Sequence, residues 1–197
     1  MNDETLKILV IGPSRRRLDD LMTALAEANP GHHLVGRLDR AIDLPRWVAE
    51  IEPDAVIMDV DSPSRDTLEQ IVVMGDASPR PIVMFSQDDS HETMRSAVSA
   101  GVAAYVVNGL EPERLQPLLQ LARVRFEAWQ ALRDDMLRAR QELHEHKLVE
   151  QAKRRLMKVQ ALSEEAAYQA LRREAMAQRK RLADVARQVM EAFGTAG

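Results

Sequence analysis

The chain has 197 residues, of which 45% are hydrophobic and 29% charged, and its formal net charge is −4. This length accommodates one domain of ordinary size and a smaller second one. The absence of Cys excludes disulfides, thiolate metal sites and thiol catalysis. No apolar run approaches the roughly 18 residues of a membrane span, and the N-terminus lacks the basic start of a signal peptide. We therefore expect a cytoplasmic protein that does not contact a membrane.

Short apolar runs alternate with helical patterns through residues 1–116. The runs predict strands at 7–11, 34–38, 55–60, 82–86 and 104–107, and the patterns between them predict helices at 15–28, 44–51, 65–74 and 90–100. Strands that alternate with helices form a parallel sheet with helices on both faces. The first domain is therefore predicted to be a doubly wound, flavodoxin-like α/β fold, whose sites lie at the carboxyl ends of the strands.

Three residues at these strand ends carry a resemblance. Asp59 ends the third strand with Pro63 four residues later, Ser86 ends the fourth strand, and Tyr105 lies in the fifth. They resemble the phosphoacceptor, the switch hydroxyl and the switch aromatic residue of the receiver domain of bacterial response regulators. The resemblance implies a receiver-like first domain.

Two further features of receiver chemistry are missing. Receivers hold Mg²⁺ with an acidic pair after the first strand, where this chain has Gly12-Pro13. They also place a Lys after the fifth strand, where this chain has Asn108. The next carboxylates, at positions 19 and 20, are expected to face away. Without metal the site lacks most of its electrostatic stabilisation, so we expect Asp59 to remain unphosphorylated, no metal or cofactor to bind, and the domain to bind proteins.

Residues 117–146 are predicted to form a connecting helix. Pro117 predicts a kink or a restart, and no Pro or Gly then occurs before Gly194. Apolar residues recur in steps of mostly three and four, at Leu118, Leu119, Ala122, Phe126, Trp129, Leu132, Met136, Ala139 and Leu143. Such a heptad-like stripe predicts a coiled coil, which we expect to join two copies into a homodimer, at least in the active state.

Residues 147–194 are predicted to form a small all-α unit of three helices with a basic surface. Between Lys147 and Arg187 there are eleven Lys or Arg and five acids, so this segment carries +6 and the rest of the chain −10. Ser163 is a candidate N-cap for the second helix, and the third is expected from about 181 to 193. A basic helical unit on an acidic body suggests an effector that binds a polyanion.

The pattern of this unit resembles the ANTAR domain, the RNA-binding unit of bacterial transcription antiterminators. The matching residues are Ala152-Lys153, Leu156-Met157, Leu162 to Tyr168, Leu171-Arg172, Ala175-Met176, Arg179 to Leu182 and Val185-Ala186. One departure is Arg154, where the family usually has Gly. The order of receiver-like domain, long helix and ANTAR unit is similar to the AmiR and NasT antiterminators, and the residues around Asp59 and Ser86 most resemble the NasT type.

This resemblance implies a function. ANTAR units bind hairpins in a leader transcript and prevent terminator formation, and NasT-type proteins are held inactive by a nitrate- or nitrite-sensing partner protein. Arg and Lys supply phosphate contacts, and aromatic rings stack on unpaired bases. The candidate phosphate or loop contacts are Lys153, Arg154, Arg172, Arg173, Arg179 and Lys180. Tyr168 is a candidate stacking residue or, equally, a half-buried core ring.

Two other functions remain open from the residues alone. Three short helices could contain a helix-turn-helix of a DNA-binding response regulator, although no Gly marks its turn. The chain could also be a scaffold whose receiver-like domain and coiled coil bind only proteins. An enzyme is not expected, because no nucleophile–base pair, Gly-rich phosphate loop or metal cluster occurs.

Overall fold

The computed structural model describes residues 5–12, 15–107, 109 and 112–194. The chain divides into two compact units, residues 1–130 and 131–197. Pro13 and Asn108, two of the positions at which the sequence departs from receivers, lie outside the described residues.

Unit 1 contains a five-stranded parallel sheet within its described residues. Its strands are β1 (Lys7–Ile11), β2 (His33–Leu38), β3 (Ala55–Val60), β4 (Ile82–Ser86) and β5 (Ala104–Val107), in the order β2-β1-β3-β4-β5. Its helices between strands are α1 (Arg15–Ala28), α2 (Leu44–Ile51), α3 (Arg65–Ala77) and α4 (His91–Ala100). The predicted doubly wound fold is confirmed. The main differences are that β2 begins one residue earlier and α3 ends three residues later than the sequence predicts.

The sheet is buried on both faces, and this explains why its strands are continuous apolar runs. Ile8 and Val10 of β1 pack in one cluster with side chains of α1 and with Leu115, which lies on the helix that follows β5. Leu9 and Ile11 point to the opposite face and pack with side chains of α2, α3 and α4. Two layers of helices thus cover the sheet, and Asp59 of β3 and Ser86 of β4 lie at its carboxyl edge.

Local signals fix the ends of two of these helices. Ser64 and Ser90 are N-caps whose hydroxyl oxygens accept hydrogen bonds from the backbone N–H groups of Thr67 and Thr93. Gly101 ends α4 in the left-handed region, with φ of 111°, which glycine adopts without the steric cost that a side chain brings.

The remaining helices are α5 (Pro112–Gln160), α6 (Glu164–Gln178) and α7 (Leu182–Gly194). The predicted restart at Pro117 is wrong, because Pro117 lies inside α5. Pro117 is the sixth residue of α5, so the N–H that it lacks would have donated to the carbonyl of Glu113, and α5 continues without that hydrogen bond. Among the described residues, none of the helices combines the length and apolarity needed to cross a bilayer.

Unit 2 has a small core of mostly short side chains. Ala152 and Leu156 of α5, Ala167 and Leu171 of α6, and Ala186 of α7 are buried together. These five were predicted to face inward; the buried Val149 was not. Ala side chains permit close helix approach but remove little apolar area from water, so the core of this unit provides modest stabilisation.

Candidate nucleic-acid interface

The cations of unit 2 fall into two groups that differ in their partners. Arg181 pairs with Glu145 at 3.2 Å, and Arg187 pairs with Asp184 at 3.4 Å. Lys153 is 9% exposed, and its ammonium lies 2.7 Å from a carboxylate oxygen of Glu150. These cations are already neutralised by neighbouring acids within the protein.

Lys153 also connects two helices. Its ammonium donates a second hydrogen bond, 2.8 Å long, to Glu164 in the first turn of α6. The hydrogen bonds that the ammonium donates to Glu150 and Glu164 raise the pKa of Lys153, and the first of them lowers the pKa of Glu150. The ammonium of Lys153 is therefore already paired with two carboxylates, and its contact with RNA stays a prediction.

The second group comprises cations that are exposed and have no ion pair in the part of the chain that the structure describes. It contains five of the six basic residues that were predicted to contact RNA: Arg154, Arg172, Arg173, Arg179 and Lys180. Arg154 follows the buried Lys153 directly on α5 and faces solvent. Fully hydrated cations without internal partners are the groups that can neutralise phosphates at low desolvation cost.

One side of α6 presents an aromatic ring, a cation and a thioether in succession. Tyr168, Arg172 and Met176 follow one another at intervals of four residues, so they are neighbours along one side of the helix. The side chains at the two ends of this row are accessible to solvent: Tyr168 is 39% exposed and Met176 is 70% exposed. Sequence reasoning missed Met176, although its spacing from Tyr168 and Arg172 was a readable signal.

Arg179 occupies a strained backbone position at the turn between α6 and α7. Its φ is 53° and its ψ 39°, in the left-handed region where glycine is the usual helix stop. The N–H of Lys180 donates to the carbonyl of Ala175, and this bond closes the end of α6. A side chain at such a position costs stability. Backbone strain of this kind is often found at functional sites.

Arg155 differs from these cations because it is hydrogen-bonded to the backbone within unit 2. Its guanidinium donates to the backbone carbonyl of Phe193 in the last turn of α7. The last carbonyls of a helix lack intrahelical donors, and a cation at this end is also favoured by the helix dipole. Arg155 therefore ties the end of α7 to α5 and is not part of the exposed basic group.

The receiver-like site at the carboxyl edge of the sheet lacks an acidic side chain at position 12. A Cβ added at Gly12 would lie 3.5 Å from the Cβ of Asp59, so this position adjoins Asp59 but supplies no carboxylate. The expectation that both following acids face away is wrong for Asp20, which lines a cavity of about 230 Å³ together with Asp59 and Ser86. The side chain lies there because α1 passes along this edge of the sheet.

These residues do not reproduce the acidic pair with which receivers hold Mg²⁺. Among the described residues, no three His, Asp or Glu side chains are grouped so that they could hold a metal ion. At the position after β1 the residue is Gly12, which has no carboxylate that could bind a metal ion. The donor set at this edge therefore does not fit the family's metal.

The two switch residues are bound to the neighbouring loops. Ser86 is buried; its hydroxyl donates to the carbonyl of Asp61 at 2.9 Å and accepts from the N–H of Asp88 at 3.1 Å. The hydroxyl of Tyr105 donates to the carbonyl of Asp88 at 2.7 Å. Both switch side chains thus hold the segment after β4 in one position.

Asp88 is the centre of this network, and sequence reasoning did not identify it. Its carboxylate accepts from the N–H of Ser90 at 2.9 Å, from the hydroxyl of Ser62 at 2.8 Å and from the hydroxyl of Thr93 at 3.0 Å. These hydrogen bonds, of which the backbone bond from Ser90 is the strongest cause, lower the pKa of Asp88 to about 2. The loops after β3 and β4 are therefore tied together without a phosphoryl group.

Both units of the chain are similar to known proteins. The sequence profile of the ANTAR domain matches residues 137–190. The transcriptional regulatory protein PdtaR of Mycobacterium tuberculosis is 31% identical over 176 residues, which span 89% of this chain and 85% of PdtaR. At this length the match extends over both units.

Solved structures resemble unit 1. The signal receiver domain of a modulated diguanylate cyclase from Desulfovibrio desulfuricans superposes with a TM-score of 0.55 at 17% identity, covering 64% of this chain and 98% of that domain. The receiver domain of the putative response regulator NarL from Mycobacterium tuberculosis gives 0.53 at 17% identity, covering 61% and 98%. At this identity the likeness establishes the fold alone. From the ANTAR match, the similarity to PdtaR and the receiver fold, the chain belongs to the family of ANTAR-domain response regulators.

Proposed function

We propose that this protein binds hairpins in a leader mRNA through unit 2 and so prevents transcription termination. The observation that carries the proposal is the group of five exposed cations without internal partners: Arg154, Arg172, Arg173, Arg179 and Lys180. They lie in a segment whose net charge is +6, on a chain whose remaining residues carry −10. Phosphate neutralisation supplies most of the affinity of such interfaces.

The side of α6 that carries Tyr168, Arg172 and Met176 is proposed to receive the loop of the hairpin. Loop bases are unpaired and expose flat faces, which stack on aromatic rings and Arg guanidinium groups. The ring of Tyr168 and the thioether of Met176 are exposed at the two ends of this side. Duplex DNA has no unpaired bases to offer, so this feature favours RNA over the DNA-binding alternative.

The stacking part of the proposal is tested by comparing Tyr168→Phe with Tyr168→Ala. Phe retains the ring and is expected to bind a hairpin about as well as the wild type, while Ala loses roughly 1–3 kcal/mol of stacking. The same two variants would bind equally if Tyr168 contributed nothing to the loop. Arg172→Gln is expected to weaken binding and to lower the salt dependence by about one unit of slope.

We further propose that control comes from a sensor protein rather than from phosphorylation of Asp59. Gly12 provides no carboxylate beside Asp59, and the Asp88 network already holds Ser86 and Tyr105. The resemblance to NasT-type proteins supports a nitrate- or nitrite-sensing partner and a leader of nitrate-assimilation genes. Co-purification from cells grown with and without nitrate tests this part; a partner that binds in one condition only is expected.

The proposed active species is a homodimer joined through the connecting helix. Leu132, Met136 and Leu143 on α5 are 61%, 67% and 54% exposed, and large apolar side chains in a heptad stripe gain stability when a second helix covers them. Sedimentation of the full chain over a concentration series tests this part, because a dimer gives a mass that rises with concentration to twice the mass of the chain.

A further inference from the structure

The most exposed large apolar side chain of the described residues lies beside the candidate RNA-binding cations. Met176 of α6 is 70% exposed. Arg172 and Arg173 precede it by about one helical turn, and Arg179 and Lys180 follow it at the same spacing where the helix ends. Residues three and four apart are neighbours on a helix surface. The thioether is therefore close to four of the five exposed cations.

The core of unit 2 does not use the side chain of Met176. Its neighbours Leu171 and Ala175 are buried in that core, but Met176 is neither one of the buried side chains nor one of those packed against them. Its thioether therefore meets solvent and any molecule that binds this side of α6.

The sulfur of Met176 is also among the most accessible oxidisable atoms of the described residues. The chain has no Cys, so its oxidisable sulfur belongs to Met side chains. Met58 and Met84 of the central strands are fully buried. Met136 of α5 is 67% exposed, but it lies outside the group of five cations. Because an oxidant must reach the sulfur, we expect Met176 and Met136 to react before the buried residues.

We propose that Met176 is a modification site at which reversible oxidation to the sulfoxide weakens RNA binding by unit 2. This deepens the proposed function and rests on it. The oxidant is hypochlorous acid: in the net reaction the sulfur loses two electrons and gains the oxygen, the O–Cl bond breaks, and chloride and a proton are released. A methionine sulfoxide reductase reverses the change. In that step two thiols are oxidised to a disulfide, and the oxygen leaves as water.

Oxidation changes this side of α6 in two ways. The sulfoxide is polar where the thioether is apolar, so the proposed contact between Met176 and a loop base is lost. The new oxygen also accepts hydrogen bonds, and Arg172 and Arg173, which have no ion pair among the described residues, lie one turn away with several N–H donors each. A guanidinium that binds the sulfoxide is drawn away from a phosphate, so both changes lower the affinity for RNA.

Peptide mass spectrometry tests whether Met176 is the reactive site. Trypsin cleaves after Arg173 and Arg179 and releases a peptide in which Met176 is the sole Met. The folded full chain is titrated with hypochlorous acid before digestion. This peptide is expected to gain one oxygen at oxidant concentrations that leave Met58 and Met84 unmodified. A Met176 that reacts no faster than these buried residues would overturn the proposal.

Binding of a leader hairpin is then measured in two full-length proteins that differ only at position 176. The parent carries Met136→Leu, which removes the other highly exposed thioether. Its matched control carries Met136→Leu together with Met176→Leu, since Leu is apolar and cannot form a sulfoxide. Each protein is compared with itself before and after treatment, so a difference in starting affinity does not affect the comparison. The parent is expected to bind roughly tenfold more weakly after treatment, a change of about 1.4 kcal/mol, and to recover with a methionine sulfoxide reductase and a thiol.

The outcomes separate this proposal from the proposed function. The control is expected to keep its starting affinity after treatment. Weakening in both proteins would mean that other groups, such as Tyr168 or Lys180, respond to the oxidant, and weakening in neither would mean that the sulfoxide is tolerated; either result overturns the oxidation proposal alone. Absence of hairpin binding before treatment would overturn RNA recognition by unit 2, and this proposal with it.

Discussion

The ammonium of Lys153 on α5 donates a 2.8 Å hydrogen bond to the carboxylate of Glu164 in the first turn of α6. The same ammonium lies 2.7 Å from Glu150, one turn earlier on α5. The link joins two helices whose shared core consists largely of Ala and Leu. In a unit with so little buried area, a polar link of this kind fixes how α6 sits on α5.

Replacing Lys153 is therefore expected to reduce the stability of unit 2. Lys153→Met keeps the length of the side chain but leaves Glu150 and Glu164 without their cation, so the thermal midpoint should fall. Hairpin binding measured well below that midpoint should change much less than in Arg172→Gln. Lys158→Met, at an exposed position of the same helix without an ion pair, is the matched control. If Lys153→Met keeps its midpoint and loses RNA binding, Lys153 is a direct RNA contact.

Arg179→Gly is expected to separate stability from binding. Glycine relieves the left-handed backbone at φ of 53° and should raise the free energy of unfolding by about 1 kcal/mol. The same change removes one of the five exposed cations and should weaken hairpin binding. Urea denaturation and a binding titration on the same protein check the two effects. A variant that is stabilised and binds RNA as well as the wild type would remove Arg179 from the interface.

Ser86→Ala is expected to destabilise unit 1 without affecting RNA binding by the ANTAR unit. Ser86 is 3% exposed, and its loss removes two hydrogen bonds, although the N–H of Asp88 still donates to the carbonyl of Asp61 at 3.2 Å. A hydrogen bond of this kind contributes about 0.5–1.5 kcal/mol net. Urea denaturation checks this cost. Ser86→Thr, which keeps the hydroxyl, is expected to lose less stability, and an equal loss in both variants would contradict the role given to the hydroxyl.

The acid stability of unit 1 is expected to depend on Asp88. Hydrogen bonds lower its pKa from 3.8 to about 2 in the folded state. The folded state therefore gains stability from this group above about pH 4, and loses that gain as the pH falls towards 2. Asp88→Asn should show a flatter decline in urea midpoint between pH 4 and pH 2. Asp89→Asn changes an exposed neighbour that has no ion pair with any residue the structure describes, and it should decline like the wild type.

Periodicity and turn residues were sufficient to predict the fold. The central strands β1, β3 and β4 could be predicted from apolar runs, because strands buried on both faces are apolar almost throughout. Pro117 misled the prediction. Its effect depends on how far it lies from the start of the helix, and the sequence did not fix that start.

Less of the candidate site than of the fold could be predicted from the sequence. A run of Lys and Arg says how many cations a surface has, but not which of them already have partners. Lys153 and Arg154 are adjacent in the chain but differ in environment, because one pairs with Glu164 in the first turn of α6 and the other faces solvent. The Asp88 network was also hidden, since its partners Ser62 and Tyr105 lie on separate strands or loops and meet only when the sheet forms.

The most direct test is the binding of the full chain to a leader RNA hairpin at physiological salt, with and without a phosphodonor such as acetyl phosphate. A duplex DNA of equal length serves as competitor at the same salt. We expect tight hairpin binding without the donor, unchanged by its addition and poorly competed by DNA. Binding that appears only with the donor would contradict the role assigned to Asp59 and Gly12, and a hairpin that does not bind in either condition would contradict RNA recognition by unit 2.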